Sequence, residues 1–364
     1  MSYKDFLNYV EVSEKKIIDY IMQNYRKNQV FKPKIIDECV MTYIKRGGKR
    51  LRPIVLLMAC GAVGGIEDIA LPAAVAIELF HTWTLVHDDL IDNDNLRRGQ
   101  PTVHLSAKNI AIKDQGFSEA KAVEYGRDIA VLTGDIQHGW SISMFTDPQL
   151  LEHVNSNVIF TLINKIQTHV LHTLVHGEVL DVEFGMRGNG ILDISEDDIL
   201  KMLWMKTGVL YEFAGLAGAM IGKNSIDISD PEISSIQKFC SSCGTAFQLR
   251  DDILGIIGRE ADLGKPVGSD IREGKKTTII RTALLNASQK ESELIHSILG
   301  KHTATDEEIK KVTNLLIDLG GIQYTYELSV KYVNKALPHL SKIRTSQYKT
   351  LLEKWAKYMI ERKY

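Results

Sequence analysis

From Ser195 the chain reads SEDDILKMLWM, three acids followed by apolar residues at Ile199, Leu200, Leu203 and Trp204. Recurrence at three and four positions, rather than alternation, predicts a helix with one buried face. The same spacing recurs along the chain, and no convincing strand–turn–strand pattern interrupts it. Proline is scarce, with eight residues, and none falls in 102–147, 149–230 or 267–337. Long helices suit such gaps, because an interior proline breaks a helix. Start signals punctuate the pattern. Ser195-x-x-Asp198 and Thr305-x-x-Glu308 are capping sequences, and Asp147-Pro148 and Asp230-Pro231 put proline where a first turn accepts it. The expected architecture is all-α: one domain over residues 1–364, with roughly ten or more helices. Residues 105–127 are polar and expected to be a surface excursion.

One helix ends oddly. The mostly apolar or uncharged FHTWTLV closes a helical stretch over 73–87 and runs straight into DDLIDNDNLRRG. Asp88 and Asp92, four apart, share a face at a helix C-terminus, where the dipole is already negative. They are either the cap of the next helix, a solvated acidic turn, or a hard-cation site. A second cluster changes the balance. FQLRDDILG places Asp251 and Asp252 in another apolar helical run, with Gln248 one turn before Asp252. Two such clusters suit magnesium ions, which take phosphate and water oxygens alongside a few carboxylates. Basic residues accompany them: Lys49 and Arg52 in GGKRLRP, Arg97 and Arg98 after the first cluster, Lys265 and Lys275 after the second. They would bind a second anion without metal.

Composition adds exclusions. Lys plus Arg (44) nearly balances Asp plus Glu (46), so no nucleic-acid partner is indicated. Scanned for uninterrupted apolar runs, the chain shows none of the roughly 18–20 residues that a bilayer requires. The longest, from Leu210, is short and contains Glu212. The N-terminus lacks the apolar core of a secretory signal, so a cytoplasmic protein is expected. Cys240 and Cys243 form CSSC without a companion cluster and are expected to be small helix residues. His169, His172 and His176 are expected to be packing or helix-face residues rather than zinc ligands.

The ordered series GGKRLRP, HDDLIDNDNLRRGQPT, GD at 134–135, KT at 206–207, FQLRDD and LGKPVGSDIREGKKT resembles the trans-isoprenyl diphosphate synthases, or polyprenyl synthetases, over most of the chain. That resemblance implies an isoprenoid synthase fold, helices around a central cavity, usually a homodimer, and magnesium-dependent head-to-tail prenyl transfer. It implies that Asp88, Asp92 and Asp251 bind magnesium, three ions per site, with Asp89 and Asp252 supporting them. Arg97, Lys206 and Lys265 would hold the allylic diphosphate, with Lys275 nearby, and Lys49, Arg52, His81 and Arg98 would hold isopentenyl diphosphate. Thr207 and Gln248 would offer oxygens to the carbocation. His81 lies seven positions before Asp88, on the same helix stripe.

The pattern departs from the family twice. Gly255 stands where the second motif commonly has its last aspartate, for which a water is the expected substitute, and the stretch from Thr102 to Gly134 is longer than usual. Product length hangs on Trp83, five before Asp88, where a bulky residue tends to floor the chain pocket in this family; Thr84 beside it is small. The alternative for Trp83 is a core aromatic. The expected product is geranylgeranyl diphosphate (C20), from dimethylallyl, geranyl or farnesyl primers, with farnesyl diphosphate (C15) next. A terpene cyclase would not need GGKRLRP, and a non-catalytic partner subunit would usually lose site residues that this chain keeps.

Overall fold

A computed structural model of the chain describes residues 2–28, 31–186, 190–258 and 268–361. Lys265 lies outside the described residues. The chain divides into two compact units, residues 1–163 with 217–227, and residues 164–216 with 228–364. Both are helical, as the isoprenoid synthase fold requires.

The first unit contains α1 (Tyr3–Asn28), α2 (Lys34–Lys45), α3 (Leu51–Ala62), α4 (Glu67–Ile91), α5 (Val103–Gln115), α6 (Glu119–Ser143), α7 (Pro148–Leu151) and α8 (Ser156–Asn164). Helix α4 is its axis, with α1, α3 and α6 packed against it. Glu67 and Asp68 occupy its first turn, where the dipole favours acids. Its middle buries Ala73 through Phe80. Among the described residues α4 is long and apolar enough to cross a membrane, with mean hydropathy 1.6 over a window that is 67% buried in the protein. It is not an uninterrupted apolar run, since every 18-residue stretch of it contains Glu78. Charged Glu78 breaks the apolar run in the sequence but not in the helix.

Residues 105–127 are largely exposed, as expected, and mostly helical. Helices α5 and α6 pack together through Ala107, Ala111 and Ala122, all fully buried. Small side chains let helices approach closely while leaving little apolar signal, which is why the segment reads as polar. Between α4 and α5, Leu96–Arg97 pairs antiparallel with Gln100–Pro101. Arg98 (φ 56°) and Gly99 (φ 71°) make the turn, both left-handed as a type I′ hairpin requires. Two-residue strands are too short to show alternation.

The second unit holds α9 (Leu171–Met186), α10 (Glu196–Leu203), most of α11 (Val209–Lys223), α12 (Pro231–Ile257), α13 (Ser269–Glu273), α14 (Thr278–Asn286), α15 (Gln289–Ile298), α16 (Asp306–Asp318), α17 (Gly321–Ala336) and α18 (Gln347–Glu361). The predicted caps form. Ser195 accepts from the Asp198 amide, Thr305 and Glu308 make a capping box, and Asp230 accepts from Glu232 and Ile233 ahead of Pro231. Helix α12 is anchored by adjacent stripes. Leu249 joins a core with Phe184, Ile199 and Leu203, while Ile253 and Ile256 join one with Ile279, Ile309 and Val312. Each such side chain contributes about 1.5–3 kcal/mol when buried, so α12 can carry polar residues on its next stripe. Cys240 and Cys243 are free and buried in α12, and burial pushes both thiols up. His169, His172 and His176 lie exposed on a helix face.

Candidate active site

The first unit gathers the first acidic cluster at the end of α4. Asp88 and Asp89 lie in its last turn, and Asp92 caps it, its amide donating to the Asp88 carbonyl at 2.8 Å. The three carboxylates are not equivalent. Asp89 is fully buried, and its oxygens accept from Arg97 Nε at 2.6 Å and from the Tyr43 hydroxyl. Burial raises its pKa, and Arg97 pulls in the opposite direction. Asp88 and Asp92 remain partly exposed, with Arg97 NH2 3.3 Å from Asp88 Oδ2. The hairpin brings Arg97 back onto the helix end, where it offsets repulsion among the acids.

Two turns back along α4, the Arg52 guanidinium lies 3.1 Å from His81 Nε2. Burial and the nearby Arg52, Arg98 and Arg97 hold His81 well below the usual imidazole range. Because a guanidinium can only donate, Nε2 accepts this hydrogen bond. Arg98 lies against Gly48: a Cβ there would stand 2.4 Å from Arg98 NH2. Trp83 is partly buried in an aromatic cluster, its Nε1 donating to His87 Nδ1 at 3.1 Å and its ring 5.0 Å from Phe80 and 4.8 Å from His138. Thr84 donates to the His81 carbonyl at 2.8 Å.

The second unit builds a hydrogen-bonded relay. Thr207 Oγ1 donates to Gln248 Oε1 at 2.7 Å, and Gln248 Nε2 donates to Asp252 Oδ1 at 2.9 Å. Asp252 is 5% exposed, and its Oδ2 has no partner among the described residues. Burial pushes its carboxyl well above the ordinary range. A buried, unpartnered carboxylate oxygen is costly and fits a cation site. Asp251, partly exposed, precedes it on α12.

Gly255 resolves the first departure. A Cβ at 255 would lie 2.2 Å from Asp270 Oδ2, so the Asp270 carboxylate, reaching in from α13, occupies the space of the missing side chain. Lys275 Nζ lies 3.6 Å from Asp270 and 3.0 Å from Glu273.

Lys206 and Thr207 sit in a π-helical turn, Trp204–Gly208, between α10 and α11. Such turns occur frequently at functional sites. Lys206 Nζ is 2.9 Å from Glu178 and 2.7 Å from Asp181 on α9. Helix α9 comes this close because residue 177 is glycine, where a Cβ would lie 2.5 Å from the Lys206 amide nitrogen.

Sequence reasoning overlooked Tyr43, Glu178, Asp181 and Asp270. The acids at 178 and 181, three apart and following a glycine, were a visible one-face signal. Tyr43 left none, being one aromatic in an apolar run. Among the described residues no group of three or more His, Cys, Asp or Glu forms a metal cage. Magnesium does not require one, since it keeps waters and takes phosphate oxygens.

The polyprenyl synthetase family pattern matches residues 33–316. A geranylgeranyl diphosphate synthase of Saccharolobus solfataricus is 33% identical over 344 residues, 94% of this chain and 93% of that one. The crystal structure of a geranylgeranyl pyrophosphate synthetase from Pyrococcus horikoshii superposes with a TM-score of 0.81 at 30% identity, covering all of both chains. A polyprenyl synthase from Caulobacter crescentus, complexed with calcium and isoprenyl diphosphate, gives 0.80 at 25% identity, over 100% of this chain and 98% of that one. Motifs, fold and relatives agree: the chain belongs to the polyprenyl synthetase family.

Proposed function

We propose that the protein condenses isopentenyl diphosphate head-to-tail with dimethylallyl, geranyl or farnesyl diphosphate and releases geranylgeranyl diphosphate. The observation that carries this reading lies in the first unit. Asp88 and Asp92 stay partly exposed at the end of α4, while Arg52 and His81 pair about 10 Å back along the same helix. The carboxylate set for a metal-bound diphosphate therefore shares α4 with His81, and Arg52 of α3 reaches that histidine to begin a cation set for a bare one. A terpene cyclase has no use for the second set.

Asp88 and Asp92 would hold magnesium, as would Asp251, three ions per site being what the family resemblance implies. When bound, magnesium neutralises charge on the departing diphosphate. The chain's own groups do the rest. Arg97, Lys206, Lys265 and Lys275 hold the allylic diphosphate, and acids pin three of these beforehand: Asp89 holds Arg97, Glu178 and Asp181 hold Lys206, and Glu273 holds Lys275. Lys49, Arg52, His81 and Arg98 hold isopentenyl diphosphate. Donation to Asp252 fixes the Gln248 amide so that its carbonyl faces Thr207, leaving oxygen lone pairs of both residues to stabilise the allylic cation. No protein base is evident for the final proton, which leaves with the pyrophosphate. Trp83 floors the chain pocket and stops growth at C20. The protein acts as one polyprenyl synthetase domain, as a cytoplasmic homodimer; the family pattern, running through residues of both units, supports the single domain.

The test is incubation with isopentenyl diphosphate, each allylic primer and Mg²⁺, followed by mass analysis. A dominant C20 diphosphate is expected. Cyclised hydrocarbons, or no condensation product, would overturn the reading.

A further inference from the structure

Arg50 lies within GGKRLRP but is not among the cations assigned to substrate, and Glu78 interrupts the apolar middle of α4. They meet each other. Arg50 NH1 donates to Glu78 Oε1, with the two residues 5% and 3% exposed. A pair this deeply buried is weak as a source of stability, since desolvation offsets most of its attraction. Its other bonds indicate what it does. Arg50 NH2 donates to the Ile44 carbonyl at 2.7 Å and reaches the Gly47 carbonyl at 3.4 Å. One guanidinium thus ties the end of α2, the glycine loop and the middle of α4. Arg50 itself is left-handed (φ 43°), a conformation uncommon outside glycine, immediately before α3.

What this tether holds are the cations for the second diphosphate. Gly48 (φ 130°) presents bare backbone against which the Arg98 guanidinium lies. Lys49 is the next residue. Arg52 reaches His81, three positions beyond Glu78 on α4. Residues 50 and 52 therefore make two neighbouring rungs onto one helix, the first sealed from solvent and the second partly exposed.

We propose that the Arg50–Glu78 pair is a positioning device for isopentenyl diphosphate: it fixes the Gly47–Lys49 loop and thereby places Lys49, Arg52 and Arg98. The proposal rests on the reading of those cations as the isopentenyl diphosphate site. Glu78→Gln removes the charge and keeps the shape; Arg50→Lys keeps the charge and loses the fork to the two carbonyls. In both, KM for isopentenyl diphosphate rises about tenfold, while kcat and the allylic KM stay within about twofold. The double variant Arg50→Met/Glu78→Leu separates placement from stability. Its thermal midpoint returns to the wild-type value or above, because an apolar pair carries no desolvation cost. Its KM for isopentenyl diphosphate stays high, because nothing bonds the Ile44 and Gly47 carbonyls. Recovery of KM together with stability would overturn the proposal. Arg52→Ala is measured alongside. A raised KM there, with unchanged KM in the Arg50 and Glu78 single variants, overturns the proposal alone. Unchanged values in all of them overturn the underlying reading, and the proposal with it.

Discussion

The two acidic motifs look alike as strings and are built in opposite ways. At the end of α4 the cluster has outrun its helix, and an arginine returned by a hairpin balances it; one aspartate is buried to hold that arginine while Asp88 and Asp92 face outward. In α12 the acids sit inside the helix, and Asp252 is balanced through an amide relay, with one oxygen unpartnered among the described residues. The first solution relies on charge against charge and survives exposure to water. The second relies on burial, so it is sensitive to any change in packing. A shared motif fixes which atoms are available, not how the protein keeps them in place.

That contrast can be broken at four points. Asp88→Ala should abolish the outward-facing end of the first cluster: turnover falls by about 10³-fold or more, with the helical circular dichroism unchanged. Retained turnover would remove Asp88 from the metal assignment. Gly255→Asp restores the commoner motif on paper but thrusts a side chain into the Asp270 carboxylate. Turnover should fall about ten- to a hundredfold, and adding Asp270→Ala should recover part of it. If Gly255→Asp alone raised kcat, the space at 255 would not belong to Asp270. Trp83→Ala should leave turnover within about threefold and stability lower by about 3 kcal/mol, the low end for a tryptophan because the ring is partly exposed, while chromatography of the products shows chains beyond C20. An unchanged product distribution would return Trp83 to the aromatic cluster.

The smallest effect sharpens the second motif. Burial raises the Asp252 carboxyl above its unfolded value. Such a group contributes stability that is fully present below the unfolded pKa and is lost as pH rises through the folded one. In chelator-treated protein, Asp252→Asn should therefore melt near wild type at about pH 4 and progressively above it as the pH rises. Melting curves whose separation narrows with pH would show that burial does not disfavour the charged form.

Much of this was legible in the string. The caps at Ser195, Thr305 and Asp230 formed because capping is decided within four residues. The acidic and basic motifs were equally readable, since charges at helical spacing imply a face. The partners were not. Tyr43 lies 46 positions from Asp89, and Asp270 lies across 15 residues from Gly255, so only the packed chain brings them together. Glycine was the hardest residue to interpret: at 255 it looked like a lost side chain, and a Cβ there would meet the Asp270 carboxylate. The small-residue face of α5 and α6 stayed hidden because alanine weighs little in a hydrophobic pattern.

The π-helical turn at Trp204–Gly208 has a consequence for how such a site can change over evolution. A π turn holds one residue more than the α-helical turn it replaces, so it behaves as a single-codon insertion whose strain stays local. Deleting one residue there would let α10 run into α11 as an uninterrupted helix with its flanking faces in their present register. The residues of the turn, Lys206 and Thr207 among them, would turn away. Activity could thus disappear by one in-frame deletion that leaves an intact scaffold, a short genetic route from enzyme to inert subunit.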